Sequence, residues 1–284
     1  METSFTRLKG DELTATYEST IEKPLEVRDY EDLTDLEKMA LIPISYSRIN
    51  SYDMCNAKYF YSYIQKAEDV FSAPAAMGNM VHSVLEDFVG HVLDLQTMLD
   101  LFHKYRERFD PEKLIPQKMI DIGTEMMGQF VDRHKTDVFH VVEKEMPFSF
   151  VLGPALINGF IDLVQWLPNG ELQAVDFKSG SYEVTKKDVP TNLQLGIYAV
   201  ALQKIYPGVP INVQLYYLRS GRRKSHRFSD EELEGMKARI HDKVIEIIED
   251  RDFKHTDNKK ICSFCEHAKT GTCRLGASVI GKLG

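Results

Sequence analysis

Asn158-Gly159-Phe160-Ile161-Asp162-Leu163-Val164, a polar break, and then Ala174-Val175-Asp176-Phe177-Lys178-Ser179-Gly180 are the segments on which the reading of this chain turns. Both read as short strands of β-branched and apolar residues, yet each carries a carboxylate where a buried strand has little use for one. The second adds a lysine two residues on. Side chains alternate across a strand, so Asp176 and Lys178 are expected on one face. Two carboxylates and an ammonium gathered on neighbouring strands are costly to bury unless a cation and a reaction require them. The combination points to a metal-dependent hydrolase site.

The surrounding chain fits strands. From Val138 the period shifts to extended, and residues 139–142, 146–152, 156–166 and 172–178 predict a meander, with Leu167-Pro168-Asn169-Gly170 as a hairpin turn. Val189-Pro190-Thr191-Asn192 then opens a helix carrying Leu193, Ile197, Val200, Ala201 and Ile205, which ends at Tyr206-Pro207-Gly208 before a strand over 213–218. A meander, a crossover helix and a further strand predict an α/β fold, a mixed central sheet flanked by helices. Arg219 to Arg227 carries five basic residues in nine, either a solvated hairpin or a phosphate contact. Ser229-Asp230-Glu231-Glu232 reads as a capping box opening a helix to about Asp250.

Upstream, residues 1–42 are polar and acid-rich and read as an N-terminal extension. Tyr46, Ile49, Tyr52, Cys55, Tyr59, Phe60 and Tyr63 follow a spacing near three to four, an amphipathic helix with an aromatic face and Cys55 on or beside it. Met77, Val81, Val84, Leu85, Phe88 and Val92 form the buried stripe of a second helix. On that helix His82 and Glu86 are neighbours four apart, and Gly78, one turn before His82, leaves room for a backbone or ligand. The methionines of 97–139 read as core filler.

The 284 residues, 43% apolar and 27% charged, suffice for a sizeable core, and a net charge of −8 disfavours nonspecific coating of nucleic acid while permitting a local basic groove. With no long apolar run and no signal-peptide pattern, a cytoplasmic setting is expected. Cys55 stands alone, whereas Cys262, Cys265 and Cys273 crowd the C-terminus. In a reducing compartment that pattern suggests metal ligation by four thiolates, which suits zinc as well as a 4Fe-4S cluster.

Taken together, Gly78-x-x-x-His82, Gly159-x-x-Asp162, Asp176-x-Lys178 and Gln194-x-x-x-Tyr198 resemble the RecB-like branch of the PD-(D/E)XK nuclease superfamily. With the one-plus-three cysteines, the likeness is closest to CRISPR-associated and phage RecB-like exonucleases that hold an iron-sulfur cluster, a device AddB-type helicase-nucleases share. The seven residues between Cys265 and Cys273 make a longer gap than in these cousins. The resemblance implies a nuclease core at 138–250, a helical region at 43–137 with Cys55 and His82, and a cysteine-cluster segment at 251–284. It implies that Gln194 and Tyr198 border the site, that the carbonyl of Phe177 joins the metal ligands, and that the four cysteines hold 4Fe-4S rather than zinc. Such a cluster would close a loop of about 200 residues, stabilising the fold by roughly 5 kcal/mol in the loop-entropy estimate.

The chemistry follows from the residue types. Hydrolysis of a phosphodiester needs an activated water and a sink for charge on the phosphate. Asp162 and Asp176 are oxygen ligands for Mg²⁺ or Mn²⁺, and His82 as a third ligand tilts the choice toward Mn²⁺. Lys178 would orient the attacking water, lower its pKa or stabilise the developing oxyanion. Glu143 and Glu145 lie on a preceding strand as candidates for a second metal or a leading acidic position, while Glu183 and Asp188 read as solvated. Arg222, Arg223, Lys224 and Arg227, with Tyr59 and Tyr63, are candidates to line the path of single-stranded DNA. The reading is a metal-dependent DNA exonuclease acting on single strands or ends; the alternative is a noncatalytic DNA-binding or scaffold subunit that retains the fold.

Overall fold

The predicted meander, crossover and final strand are all present in the computed structural model, which describes residues 27–68, 70–91 and 94–282. Val92 and residues 1–26 of the predicted extension lie outside the described residues. In chain order the N-terminal part holds β1 (Val27–Arg28), α1 (Asp35–Ala40), β2 (Ile42–Ile44), α2 (Tyr46–Met54) and α3 (Asn56–Tyr59). Three longer helices follow, α4 (Ala73–Phe88), α5 (Leu95–Phe109) and α6 (Gln117–His134). Then come β3 (Val141–Leu152), β4 (Ala155–Trp166), β5 (Leu172–Lys178), α7 (Leu193–Ile205), β6 (Ile211–Tyr217), β7 (Arg222–Arg227) and α8 (Asp230–Glu249). Short helices α9 (Lys259–Phe264), α10 (Glu266–Lys269) and α11 (Arg274–Val279) complete it.

The sheet is mixed, in the order β1-β3-β4-β5-β6-β7, with β2 attached to β4. β3, β4 and β5 are antiparallel neighbours, whereas β6 runs parallel to β5 after the α7 crossover. β5 is buried on both faces, as a strand covered by helices on either side must be: Leu172 and Ala174 enter the core under α7 and α8, Val175 and Phe177 the core under α4 to α6. Each fully buried Leu, Ile or Phe of these two cores contributes roughly 1.5–3 kcal/mol of apolar transfer. Asn192 caps α7 by accepting from the Leu195 amide at 3.0 Å, and the predicted Ser229/Glu232 capping box opens α8.

Two expectations change. The predicted extension, 1–42, reaches the sheet at two places: Val27 pairs with Leu152, and β2, which begins at its end, runs parallel to β4 from Ile42↔Ala155 to Ile44↔Ile157. The aromatic helix over 46–63 is broken, because Cys55 is extended at φ −170° between α2 and α3, and the chain widens into a π-helical turn at Phe60–Ile64. Asp250, just past α8, secures the break by accepting from the Tyr52 hydroxyl and the Asn56 amide, both at 2.8 Å. Among the described residues no helix is long and apolar enough to cross a membrane.

Candidate active site

The site begins with a gap in the sheet. On one edge of β4, β2 pairs with residues 155–157 and β5 with 163–166, so residues 158–162 have no ladder partner on that side. At its end sits Asp162, where alternation slips: Ile161 enters the core under α7 and α8, Leu163 the core under α4 to α6. The β4–β5 ladder stops at Leu163↔Val175, and beyond it Asp162 Oδ2 accepts the main-chain N–H of Phe177 at 2.7 Å.

From the α4 side, His82 places Nδ1 3.4 Å from Asp162 Oδ2. Glu145 of β3 completes a cluster in which one ligand atom from each of His82, Glu145 and Asp162 lies within 4.8 Å of the others. Glu145 stands at φ +46°, a left-handed conformation that a residue with a Cβ adopts at a cost of about 1 kcal/mol. Strain of this kind persists where surrounding structure enforces it, and often at functional sites. On sequence alone Glu145 is level with Glu143, but Glu143 is exposed and outside the cluster. Two glutamates two apart look equivalent on a strand, and nothing in the sequence announces a positive φ.

From the α7 side the arrangement is a bonded chain. Lys178 Nζ lies 2.8 Å from Asp176 Oδ2 and donates to Gln194 Oε1 at 2.7 Å. The Gln194 amide nitrogen donates to Asp176 Oδ1 at 2.6 Å and to the Tyr198 hydroxyl at 2.9 Å, and Tyr198 reaches Asp176 Oδ1 at 3.3 Å. Gln194 and Tyr198 therefore share one face of α7 as expected, with Tyr198 buried. Asp176 Oδ2 is buried and faces the Lys178 ammonium. The donor set that fits a divalent cation is the imidazole of His82 with the carboxylates of Glu145 and Asp162. Phe177 enters this network through its N–H, and its side chain is buried in the core under α4 to α6.

The electrostatics fit a cation as well. Burial opposes the His82 imidazolium, but Asp162, then Asp176 and Glu145, hold its pKa up to about 9. Burial and the charge of Asp162 push Glu145 up to about 7. Burial likewise pushes Asp176 up against the pull of Lys178. Burial works against the Lys178 charge, yet Asp176 more than offsets it and holds the ammonium. Burial also keeps Tyr198 a phenol.

Other predicted residues lie elsewhere. Gly78 faces Ser179, whose Oγ lies 3.6 Å from where a Cβ would stand, so alanine would fit. Tyr59 is 2% exposed, stacked near Phe253, and cannot receive a base; Tyr63 packs beside Tyr59 with the Arg48 guanidinium over its ring. Most of the basic run forms β7, two strands from β5, where its charges face carboxylates: Arg222 and Lys224 pair with Glu183, Arg227 with Glu171, and Arg223 approaches Asp137, while Arg219, before the strand, donates to the Ser179 carbonyl at 2.8 Å. Glu183 is thus an anchor rather than a solvated acid; Asp188 is exposed. Cys55, Cys262, Cys265 and Cys273 do converge, lining one pocket with Lys58, Tyr61 and His255. Burial pushes the Cys262 thiol up. Among the described residues no three of these sulfurs lie within 4.8 Å of one another.

A family model described as the PD-(D/E)XK nuclease superfamily matches residues 43–270. No curated protein matches the chain. Among solved structures, the chain is similar to a "Putative exonuclease" from Eubacterium rectale, with a TM-score of 0.49 and 12% identity over 78% of this chain and 85% of that one. It is also similar to a protein named SSO0001, with a TM-score of 0.34 and 14% identity over 69% of this chain and 95% of that one.

Proposed function

Because the chain belongs to the PD-(D/E)XK nuclease superfamily, we propose that it is a divalent-metal-dependent deoxyribonuclease, an exonuclease acting on single-stranded DNA or DNA ends. The observation that carries this reading is the cluster of His82, Glu145 and Asp162 beside the opening in the sheet, with the bonded set of Asp176, Lys178 and Gln194 near enough for the charges of Asp162 and His82 to act on Asp176. His82, Glu145, Asp162 and Asp176 would hold Mn²⁺ or Mg²⁺, the oxygen-rich set suiting both and the imidazole favouring Mn²⁺. Bound there, the cation supplies Lewis-acid stabilisation of phosphoryl charge and lowers the pKa of water. Lys178, charged and fixed by Gln194 and Asp176, orients the attacking water and stabilises negative charge developing on the phosphate. Gln194 and Tyr198 position Asp176 and Lys178.

The test is cleavage of end-labelled single- and double-stranded DNA with Mn²⁺, with Mg²⁺ and with EDTA. Metal-dependent loss of nucleotides from the ends, abolished in Lys178→Ala, is expected. Full activity in EDTA or in Lys178→Ala would reject the reading.

A 4Fe-4S cluster on Cys55, Cys262, Cys265 and Cys273 is the second part of the proposal. The four cysteines line one pocket, so a shared cluster would tie the end of α2 to the C-terminal helices. Purified without air, the protein should be brown, carry iron and sulfide, and lose both in Cys55→Ser. A colourless preparation with one zinc per chain would show the opposite.

A further inference from the structure

Three residue pairs on one face of the β3–β4 ribbon form a track leading away from the metal-binding cluster. Glu145 and Asp162 stand at its head. Next come Pro147 and Phe160, directly opposite in register, and then Ser149 and Asn158. Same-face residues on a strand are two apart, so each step is about 6.6 Å. The face is fixed by Gly159, whose added Cβ would lie 2.9 Å from the Phe148 ring in the core under α7. Phe160 therefore projects the other way, toward the side from which α4 delivers His82.

Phe160 does not behave as a core residue. Its neighbours Ile157 and Ile161 are fully buried, while its own side chain is 60% exposed in the middle of a central strand. It lies on the segment of β4 that lacks a ladder partner on one edge. Pro147 and Ser149 opposite are exposed too, on a stretch of β3 whose outer edge β1 leaves unpaired, since β1 meets only Val151 and Leu152. The track is open from the site outward. An isolated exposed phenyl needs no explanation; one that is a single strand step from a metal-binding cluster, on an uncovered face, does.

We propose that Phe160 is the stacking platform for an unpaired base next to the scissile phosphate, and so a residue that selects single-stranded DNA. This rests on the nuclease reading above. The order of the track matches the substrate: ligands for a metal at the phosphate, an apolar surface for the adjoining base, then Ser149 and Asn158 for the polar edges of the nucleotide beyond. A base buried in a duplex has both faces covered by its neighbours, whereas an unpaired base can lay one face on the ring. The platform also explains how an acidic protein whose basic strand is already ion-paired can hold a polyanion: base contact takes the place of phosphate contact.

The test compares the full-length wild type with Phe160→Ala and Phe160→Trp in Mn²⁺. Substrates are single-stranded oligonucleotides, intact or with one abasic residue walked along the strand. Loss of one stacked base raises KM roughly tenfold in Phe160→Ala, with kcat changed less than KM, and Phe160→Trp restores the wild-type KM. An abasic residue at one fixed distance from the cut slows the wild type but not Phe160→Ala. A wild-type KM in Phe160→Ala, or equal sensitivity of both proteins to every abasic position, overturns the inference. Thermal melting of Phe160→Ala should match the wild type, since the ring is not in the core. If the wild type cleaves no strand, the nuclease reading falls, and 2-aminopurine fluorescence in a bound strand then decides alone. Quenching by the wild type but not by Phe160→Ala upholds the base contact; no binding, or equal quenching, ends it.

Discussion

Asp162 Oδ2 accepts the main-chain N–H of Phe177 at 2.7 Å, just past the last β4–β5 ladder pair. The same oxygen is the one nearest His82 Nδ1, at 3.4 Å. One carboxylate thus closes the end of a β ladder and heads the proposed metal site, which separates its structural from its chemical role. Asp162→Asn can still present a carbonyl oxygen to Phe177, whereas Asp162→Ala leaves that donor unpaired at a cost of about 1–3 kcal/mol. Both should abolish cleavage, but only Asp162→Ala should melt clearly below the wild type. Equal melting temperatures for the two would show that the Phe177 bond contributes nothing.

The acid cluster makes metal affinity depend on pH. A cation binds the deprotonated ligands, so it must displace the His82 proton below about 9 and the Glu145 proton below about 7. Mn²⁺ affinity should rise most steeply below pH 7, more gently from 7 to 9, and level off above 9. Without metal the linkage runs the other way. Both folded-state pKa values are raised, so the stability these protons confer is complete at low pH and is lost through about 7 for Glu145 and about 9 for His82. Melting temperatures in EDTA should therefore fall from pH 5 to 9 while the Mn²⁺-induced increase grows. Calorimetric titration at several pH values checks the first statement, and a pH-independent affinity would exclude these ligands.

Glu145 holds a left-handed backbone at φ +46°. Glycine takes that conformation without the Cβ clash, so Glu145→Gly should be about 1 kcal/mol more stable than Glu145→Ala in denaturant melts with EDTA present. Both variants should need more Mn²⁺ for half-maximal activity than the wild type. If the alanine variant is as stable as the glycine one, the strain is absent.

Much of this is legible in the sequence because it is carried by periodicity. Asp176 and Lys178 share a face for the reason any strand residues two apart do, and Gln194 and Tyr198 share a helix face for the reason any residues four apart do. The α7 and α8 caps are legible from Asn192 and Ser229. What stays hidden depends on non-local register. The gap at 158–162 lies between the stretch of β4 paired by β2, at 155–157, and the stretch paired by β5, at 163–166, and neither register can be read from a single strand. Glu145 joins the site through a backbone angle, and the basic run loses its spare charge to Glu183 and Glu171, the former 39 to 41 residues away in the chain. Tyr59 reads as a candidate to line the path of DNA, but it packs in the core against Tyr52 and Phe253.

Gln194 offers the sharpest check on the positioning network, since it donates to Asp176 Oδ1 and accepts from Lys178 Nζ through opposite ends of one amide. Gln194→Glu changes one nitrogen to oxygen. At low pH the new carboxyl can keep a proton and donate to Asp176 as the amide did, so the variant should retain part of its activity. At high pH that proton is lost, two carboxylates face each other, and their repulsion displaces Asp176 or draws Lys178 toward the introduced carboxylate. The variant's activity relative to wild type should therefore fall as the pH rises. Cleavage rates from pH 6 to 9 at saturating Mn²⁺ read this directly. A constant ratio would mean that Gln194 only fills space beside Asp176.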